Sequence, residues 1–129
     1  MRVLLDTHTF LWWASEGAAR ISGRVRGILE AADTDASLSV VSAWEIAMKA
    51  GVGRLELPGP VERYLPDRIR HHRFTVLPID LPHAIRAGTL PMIHGDPFDR
   101  MLIAQAQIEG LPILTAEPAF SRYDVETIW

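Results

Sequence analysis

The sequence has no cysteine, which excludes disulfides, thiolate metal sites and a cysteine nucleophile. No stretch approaches the roughly 18 to 20 uninterrupted apolar residues of a membrane span. Met1-Arg2-Val3-Leu4-Leu5 runs straight into Asp6, so no secretory leader is expected and a cytoplasmic location is. The phosphate-cradling pattern GxxxxGK[ST] is absent, which argues against a nucleoside triphosphatase. The strand–turn nucleophile GxSxG is absent too, which argues against an α/β hydrolase. The five histidines show no HExxH or similar ligand spacing, and His71-His72, in a basic stretch, reads as solvated. Lysine is nearly missing as well: Lys49 stands alone among 13 basic residues, the rest being arginine.

What is present fits one domain, residues 1–129, with 48% hydrophobic residues to build one core. The net charge of −3 is the wrong sign for a simple nucleic-acid binder, but placement matters more than the sum. Setting aside Asp6, Glu45, Asp96, Asp99 and Glu117 leaves 13 basic against 11 acidic residues. The arginines gather at Arg20, Arg24 and Arg26, and again at Arg63, Arg68, Arg70 and Arg73. Arginine is the better side chain for forked phosphate contacts, although solvated helix faces explain many such runs.

Strand and helix signals alternate along the chain. Arg2 to Leu5 reads as a strand and Thr7 to Ser15 as a tryptophan-rich helix. Ser22 caps a helix over 23–32, 36–41 reads as a strand, and Ser42 opens a helix to about Ala50. A helix over 60–72 places Val61, Tyr64, Leu65 and Ile69 on one face. A strand over 74–77 and a short helix capped by Asp80 follow. Residues 88–96 are irregular. Pro97 occupies the first position of a helix that Gly110 ends. Strands over 112–114 and 125–128 flank a helical turn at 118–121. This order predicts a three-layer α/β domain with a mainly parallel sheet.

In such sheets the ligand crevice lies beyond the carboxyl ends of the strands. Asp6 follows the first strand, Glu45 lies early in the helix after the second, and Glu117 follows the fourth. Asp99 joins them if its helix starts at the same edge. Each acid has a structural alternative. Asp6 and Asp96 suit helix caps, as does Glu117 before Pro118, and Asp99 suits the first turn, where the helix dipole favours an acid. Ser42-Ala43-Trp44-Glu45 fits a capping box, and Glu45 with Lys49 forms a surface i, i+4 pair. Taken together, four acids on one sheet edge repel without a cation, and hard divalent ions prefer carboxylate oxygen. Such a site suits hydrolysis of a phosphodiester. Trp44 reads as a packing residue. Trp12 and Trp13, being adjacent, are expected to point apart, leaving one for a partner surface.

Three blocks, LDTHTFLWW (5–13), SAWEIAMKAGVGRL (42–55) and DPFDRMLIAQAQIEGLPILTAEPAF (96–120), resemble PIN-domain proteins, and among them the VapC-type ribonuclease toxins of toxin–antitoxin pairs. The resemblance spans nearly the whole chain. It implies an α/β/α sandwich, Mg²⁺- or Mn²⁺-dependent endonucleolytic cleavage of RNA, a cognate antitoxin that blocks the site, and a homodimer. Motif by motif, it carries the family's four acids onto Asp6, Glu45, Asp99 and Glu117, with Asp96 as an auxiliary. Glu117 departs from the aspartate usual in the family's T-x-D pattern, since it is one methylene longer. Thr7 and Thr115 are candidate hydroxyls for orienting the ligands.

Two other readings compete. A phosphotransfer receiver requires paired acids after the first strand and a lysine near the end of the sheet. Asp6 stands alone, and a haloacid-type phosphatase is disfavoured by His8 where its second aspartate belongs. A PIN-like domain that has lost catalysis and retains RNA or protein binding is the remaining alternative, with Glu117 in its favour.

Overall fold

The computed structural model describes residues 1–129, the Glu16 side chain apart. Its elements run β1 (Arg2–Leu5), α1 (Thr7–Ala14), α2 (Gly23–Glu30), β2 (Asp35–Ser39), α3 (Val40–Gly51), α4 (Val61–His71), β3 (Thr75–Leu77), α5 (Leu81–Thr89), α6 (Pro97–Glu109), β4 (Ile113–Leu114) and β5 (Thr127–Ile128). Two 3₁₀ turns, Glu16–Arg20 and Pro118–Arg122, interrupt the connections. The strands form one sheet in the order β3-β2-β1-β4-β5, with every pairing parallel. The strand order reverses beside β1, so the crevice of this fold opens past Leu5 and Leu114.

Alternation along β1 builds the layers. Val3 and Leu5 face a core shared with Leu38, Phe10 of α1, Val25 of α2 and Leu65 of α4. Leu4 faces the opposite core, with Leu102 and Ile103 of α6 and Phe120. Helices therefore cover both faces, as the α/β reading expected. Among the described residues, no helix is long and apolar enough to cross a membrane.

The α6 boundaries agree with the sequence signals. Asp96 caps the helix, Pro97 fills its first position, and Gly110 ends it at φ 66°. Residues 102–106 are buried all round, and Gln105 is satisfied there by the Ser39 hydroxyl (2.5 Å) and the Pro78 carbonyl (3.2 Å). Ser39 also accepts the Val41 N–H at 3.0 Å. One hydroxyl thus locks the β2–α3 junction onto α6.

That junction departs from the sequence reading. The β-branched pair Val40-Val41 suggests strand, yet both begin α3, and Ser39 rather than Ser42 is the cap. No Ser42–Glu45 capping box forms, because Ser42 lies inside the helix, buried. Trp44 is 61% exposed and meets Phe98 edge-on, so it is not the packing residue expected. Trp12 and Trp13 do not split between core and surface; both pack against one core, Trp12 on Trp129 and Trp13 on His72. His72 is half-buried against Phe74 rather than solvated, and burial lowers its pKa, with the charges of His71 and Arg68 adding to the effect.

Candidate functional site

A cavity of about 230 Å³ opens at the carboxyl edge of the sheet, lined by Asp6, Glu45, Asp96, Asp99 and Glu117, with Thr7, His8, Lys49, His94 and Phe120. All four acids expected at this edge, and the auxiliary Asp96, meet there. They come from the end of β1, the second turn of α3, the start of α6 and the turn after β4.

Asp6 caps α1. Its Oδ1 accepts the Thr9 N–H at 2.8 Å and its Oδ2 accepts the Thr115 hydroxyl at 2.5 Å. Burial pushes its carboxyl up, against the hydrogen bonds from Thr115 and Thr9. Thr115 lies just past β4 and also accepts the Glu117 N–H at 3.0 Å, so it couples the two strand ends. The cap and the site role of Asp6 do not exclude each other, since capping fixes the carboxylate where α1 leaves the sheet.

Glu45 is buried. Its Oε1 accepts the Thr7 hydroxyl at 2.7 Å, and its Oε2 pairs with Lys49 at 2.6 Å. The i, i+4 pair anticipated for a solvated face therefore forms, but with a buried carboxylate at the cavity wall. The Thr7 oxygen also lies 3.0 Å from the Ser42 hydroxyl. Glu117 is exposed, caps the Pro118–Arg122 turn, and accepts the Ala119 N–H at 3.4 Å.

Asp99 occupies the first turn of α6, where the Asp96 side chain accepts its N–H at 3.2 Å. Burial pushes the Asp99 carboxyl up to about 6, the charges of Asp96 and Glu45 push the same way, and His94 opposes them. The Nε2 of His94 stands 2.8 Å from Asp99 Oδ2. No spacing rule pointed to His94, because residues 91–95 have no regular structure. Its place is set by Arg100, whose buried guanidinium donates to the carbonyls of Leu90 (2.9 Å), Pro91 (3.1 Å) and His94 (3.3 Å). Tyr123 completes the clamp, donating to the Pro91 carbonyl at 2.8 Å and accepting the His94 N–H at 2.9 Å.

The acids present an all-oxygen donor set, and burial disfavours the ionised form of two of them, Asp6 and Asp99, which is the chemistry of a hard-cation site. Among the described residues, the one set of three groups with ligand atoms within 4.8 Å of one another lies elsewhere: Asp80, His83 and Glu109. There the carboxylates sit at opposite ring nitrogens, Asp80 3.2 Å from Nδ1 and Glu109 3.3 Å from Nε2. The His83 Nδ1 also accepts the Asp80 N–H at 3.1 Å, completing a capping box at the start of α5.

The PIN domain family model matches residues 3–126. Ribonuclease VapC22 of Mycobacterium tuberculosis is 33% identical over 116 residues, covering 89% of this chain and 86% of that protein. Ribonuclease VapC16 of the same organism is 36% identical over 66 residues, 51% of this chain and 47% of that protein. Among solved structures, VapBC2 from Rickettsia felis, bound to a DNA fragment of its promoter, aligns with a TM-score of 0.74 at 14% identity, over 100% of this chain and 99% of that one. FitAcB from Neisseria gonorrhoeae aligns at 0.65 with 24% identity, over 100% and 97%.

Proposed function

The chain belongs to the PIN-domain family, and from that premise we propose that it is a divalent-metal-dependent endoribonuclease, the toxin of a toxin–antitoxin pair, comprising one nuclease domain over residues 1–129. Asp6, Glu45 and Asp99 hold Mg²⁺ or Mn²⁺, with Glu117 as the outermost ligand. The observation that carries this reading is the convergence in one cavity of buried Asp6 and half-buried Asp99, whose ionisation is disfavoured, with Glu45 and Glu117. Lys49 is the one permanently charged cation lining their cavity, and it is committed to Glu45.

A bound ion supplies acidification of water and neutralisation of charge on the phosphodiester. The protein's own contribution is positioning. Thr9 and Thr115 fix the two Asp6 oxygens, Thr7 and Lys49 fix those of Glu45, and His94 turns Asp99. Such supporting hydrogen bonds set ligand orientation. Glu117, exposed and one methylene longer than aspartate, contributes least. RNA as substrate is supported by the names of the curated relatives, and an antitoxin partner by the VapBC assemblies of similar fold. A homodimer is supported by the exposed apolar stripe Val40, Trp44, Met48 and Val52 along α3. These properties fit a cytoplasmic protein.

The test is cleavage of total cellular RNA with Mg²⁺ or Mn²⁺. The unmodified protein is expected to cleave, and Asp6→Asn and Asp99→Asn to lose about a thousandfold in rate, a loss typical of dismantled charge stabilisation. Full activity in both variants defeats the assignment. Metal binding without cleavage by the unmodified protein favours the binding-domain alternative.

A further inference from the structure

A second groove, of about 400 Å³, adjoins the acid cavity and shares Thr7, His8 and Lys49 with it. Its character is reversed. Among the described residues no acid lines it, and its polar groups are Thr7, His8, Lys49 and Arg54 over a floor of Leu11, Ile46 and Leu55. The volume lies in the range of about 300 to 1,000 Å³ that admits a small ligand.

The two cations are set side by side by backbone geometry. Gly53 takes φ 76°, a left-handed conformation that turns the chain at the end of α3. The Arg54 N–H then returns to the Lys49 carbonyl at 2.8 Å. Lys49 spends its charge on Glu45, whereas the Arg54 guanidinium, among the described residues, makes no ion pair or hydrogen bond. In the same groove the exposed His8 ring lies 5.8 Å from Trp12, tilted by 30°.

We infer that this groove seats the nucleotide next to the scissile phosphate of a single-stranded RNA, with Arg54 on the phosphate and the base over Leu11 and Leu55 against His8. The inference rests on the nuclease reading of the acid cavity and adds the path of the strand. Charge decides the occupant. An anionic strand leaving a cation-loaded acid cavity next meets the Arg54 guanidinium, which has no acid partner among the described residues, while a basic peptide segment is repelled there. The apolar floor beside a ring suits a base. Arginine also matches phosphate geometry better than lysine does.

The experiment measures binding of a fluorescein-labelled random 12-nucleotide RNA by anisotropy in EDTA, where no cleavage occurs, across a salt series. Arg54→Ala is expected to weaken binding about tenfold, the share of one charge-assisted contact. It should also reduce the slope of log affinity against log salt by about 0.7, one single-strand phosphate contact. Arg54→Lys retains the slope, and Arg2→Ala, at the amino edge of β1, changes neither quantity. With Mn²⁺ added, Arg54→Ala raises KM for RNA cleavage and spares kcat and Mn²⁺ affinity. Unchanged RNA affinity and slope in Arg54→Ala overturn the inference, and weakening confined to a protein partner assigns the groove to that partner instead. Failure of the nuclease reading looks different: the unmodified protein then does not cleave RNA with Mn²⁺, whether or not it binds the ion and whatever Arg54→Ala does to RNA binding in EDTA.

Discussion

The acid cavity and the Asp80–His83–Glu109 group both gather carboxylates around a histidine, and by distance alone the second is the tighter set. Ten residues of α6, about 15 Å of helix, separate Asp99 in the first from Glu109 in the second. The difference lies in how the charge is answered. At the α5 cap, the backbone N–H groups of Asp80 and His83 are each taken by the other's side chain, the buried His83 Nε2 faces Glu109 without a hydrogen bond, and the Asp80 carboxylate opens to solvent at 56% exposure. In the cavity, acids from four separate segments face one another, two of them pushed toward the protonated form. Proximity marks a cap; carboxylates brought together from distant segments, with ionisation disfavoured at two of them, mark a site for a cation.

The sharpest way to break this contrast is to titrate Mn²⁺ by calorimetry into paired variants. Thr115→Val removes the hydroxyl that holds Asp6 without touching any carboxylate, and is expected to weaken Mn²⁺ binding about 10- to 100-fold. Glu109→Gln is expected to bind Mn²⁺ as the unmodified protein does. A lost equivalent of metal in Glu109→Gln would reverse the roles of the two regions.

Much of the acid cavity was legible before the fold was known. The acids Asp6, Glu45 and Glu117 sat beyond strand ends, and a parallel sheet brings such ends to one edge. The α6 limits followed from Asp96-Pro97 and Gly110, because caps are local chemistry. The Val40-Val41 boundary was illegible for a physical reason. Branched side chains favour strand, but the Ser39 hydroxyl caps Val41 and bonds Gln105, 66 residues away, and that tertiary contact decides the boundary. His94 was hidden for a similar reason. Its contact with Asp99 depends on a loop clamped by Arg100 and Tyr123, and no periodicity encodes carbonyls gathered around a guanidinium.

A smaller effect sharpens the contrast through pH. Burial holds the Asp99 carboxyl near 6, against about 3.9 in an unfolded chain. Between those values the unfolded state has released a proton that the folded state keeps. Stability of the metal-free protein from this group is therefore fully present below about pH 4 and falls as pH rises through about 6. The side chain is 23% exposed, so the full linkage figure is discounted to about 1–2 kcal/mol. Metal-free Asp99→Asn is expected to exceed the unmodified protein by that amount at pH 7.5 in urea melts and to match it at pH 4. Glu109→Gln is expected to show no such gain. An Asp99→Asn protein less stable at pH 7.5 would mean that its charge is already compensated in the fold.

The smallest effect concerns the α5 cap. Asp80 Oδ1 accepts the His83 N–H at 3.2 Å, so Asp80→Ala is expected to cost about 1 kcal/mol, the usual loss for a removed N-cap. Asp80→Asn keeps an acceptor at that position and should recover most of the stability. Neither variant touches a group lining the acid cavity, so RNA cleavage and Mn²⁺ affinity are expected to stay within about twofold, the scatter of surface substitutions. The informative failure is the reverse pattern: unchanged melting with lost metal binding in both variants. That result would mean the His83 ring and its two carboxylates work as ligands after all, and that the backbone hydrogen bonds between Asp80 and His83 are incidental to them.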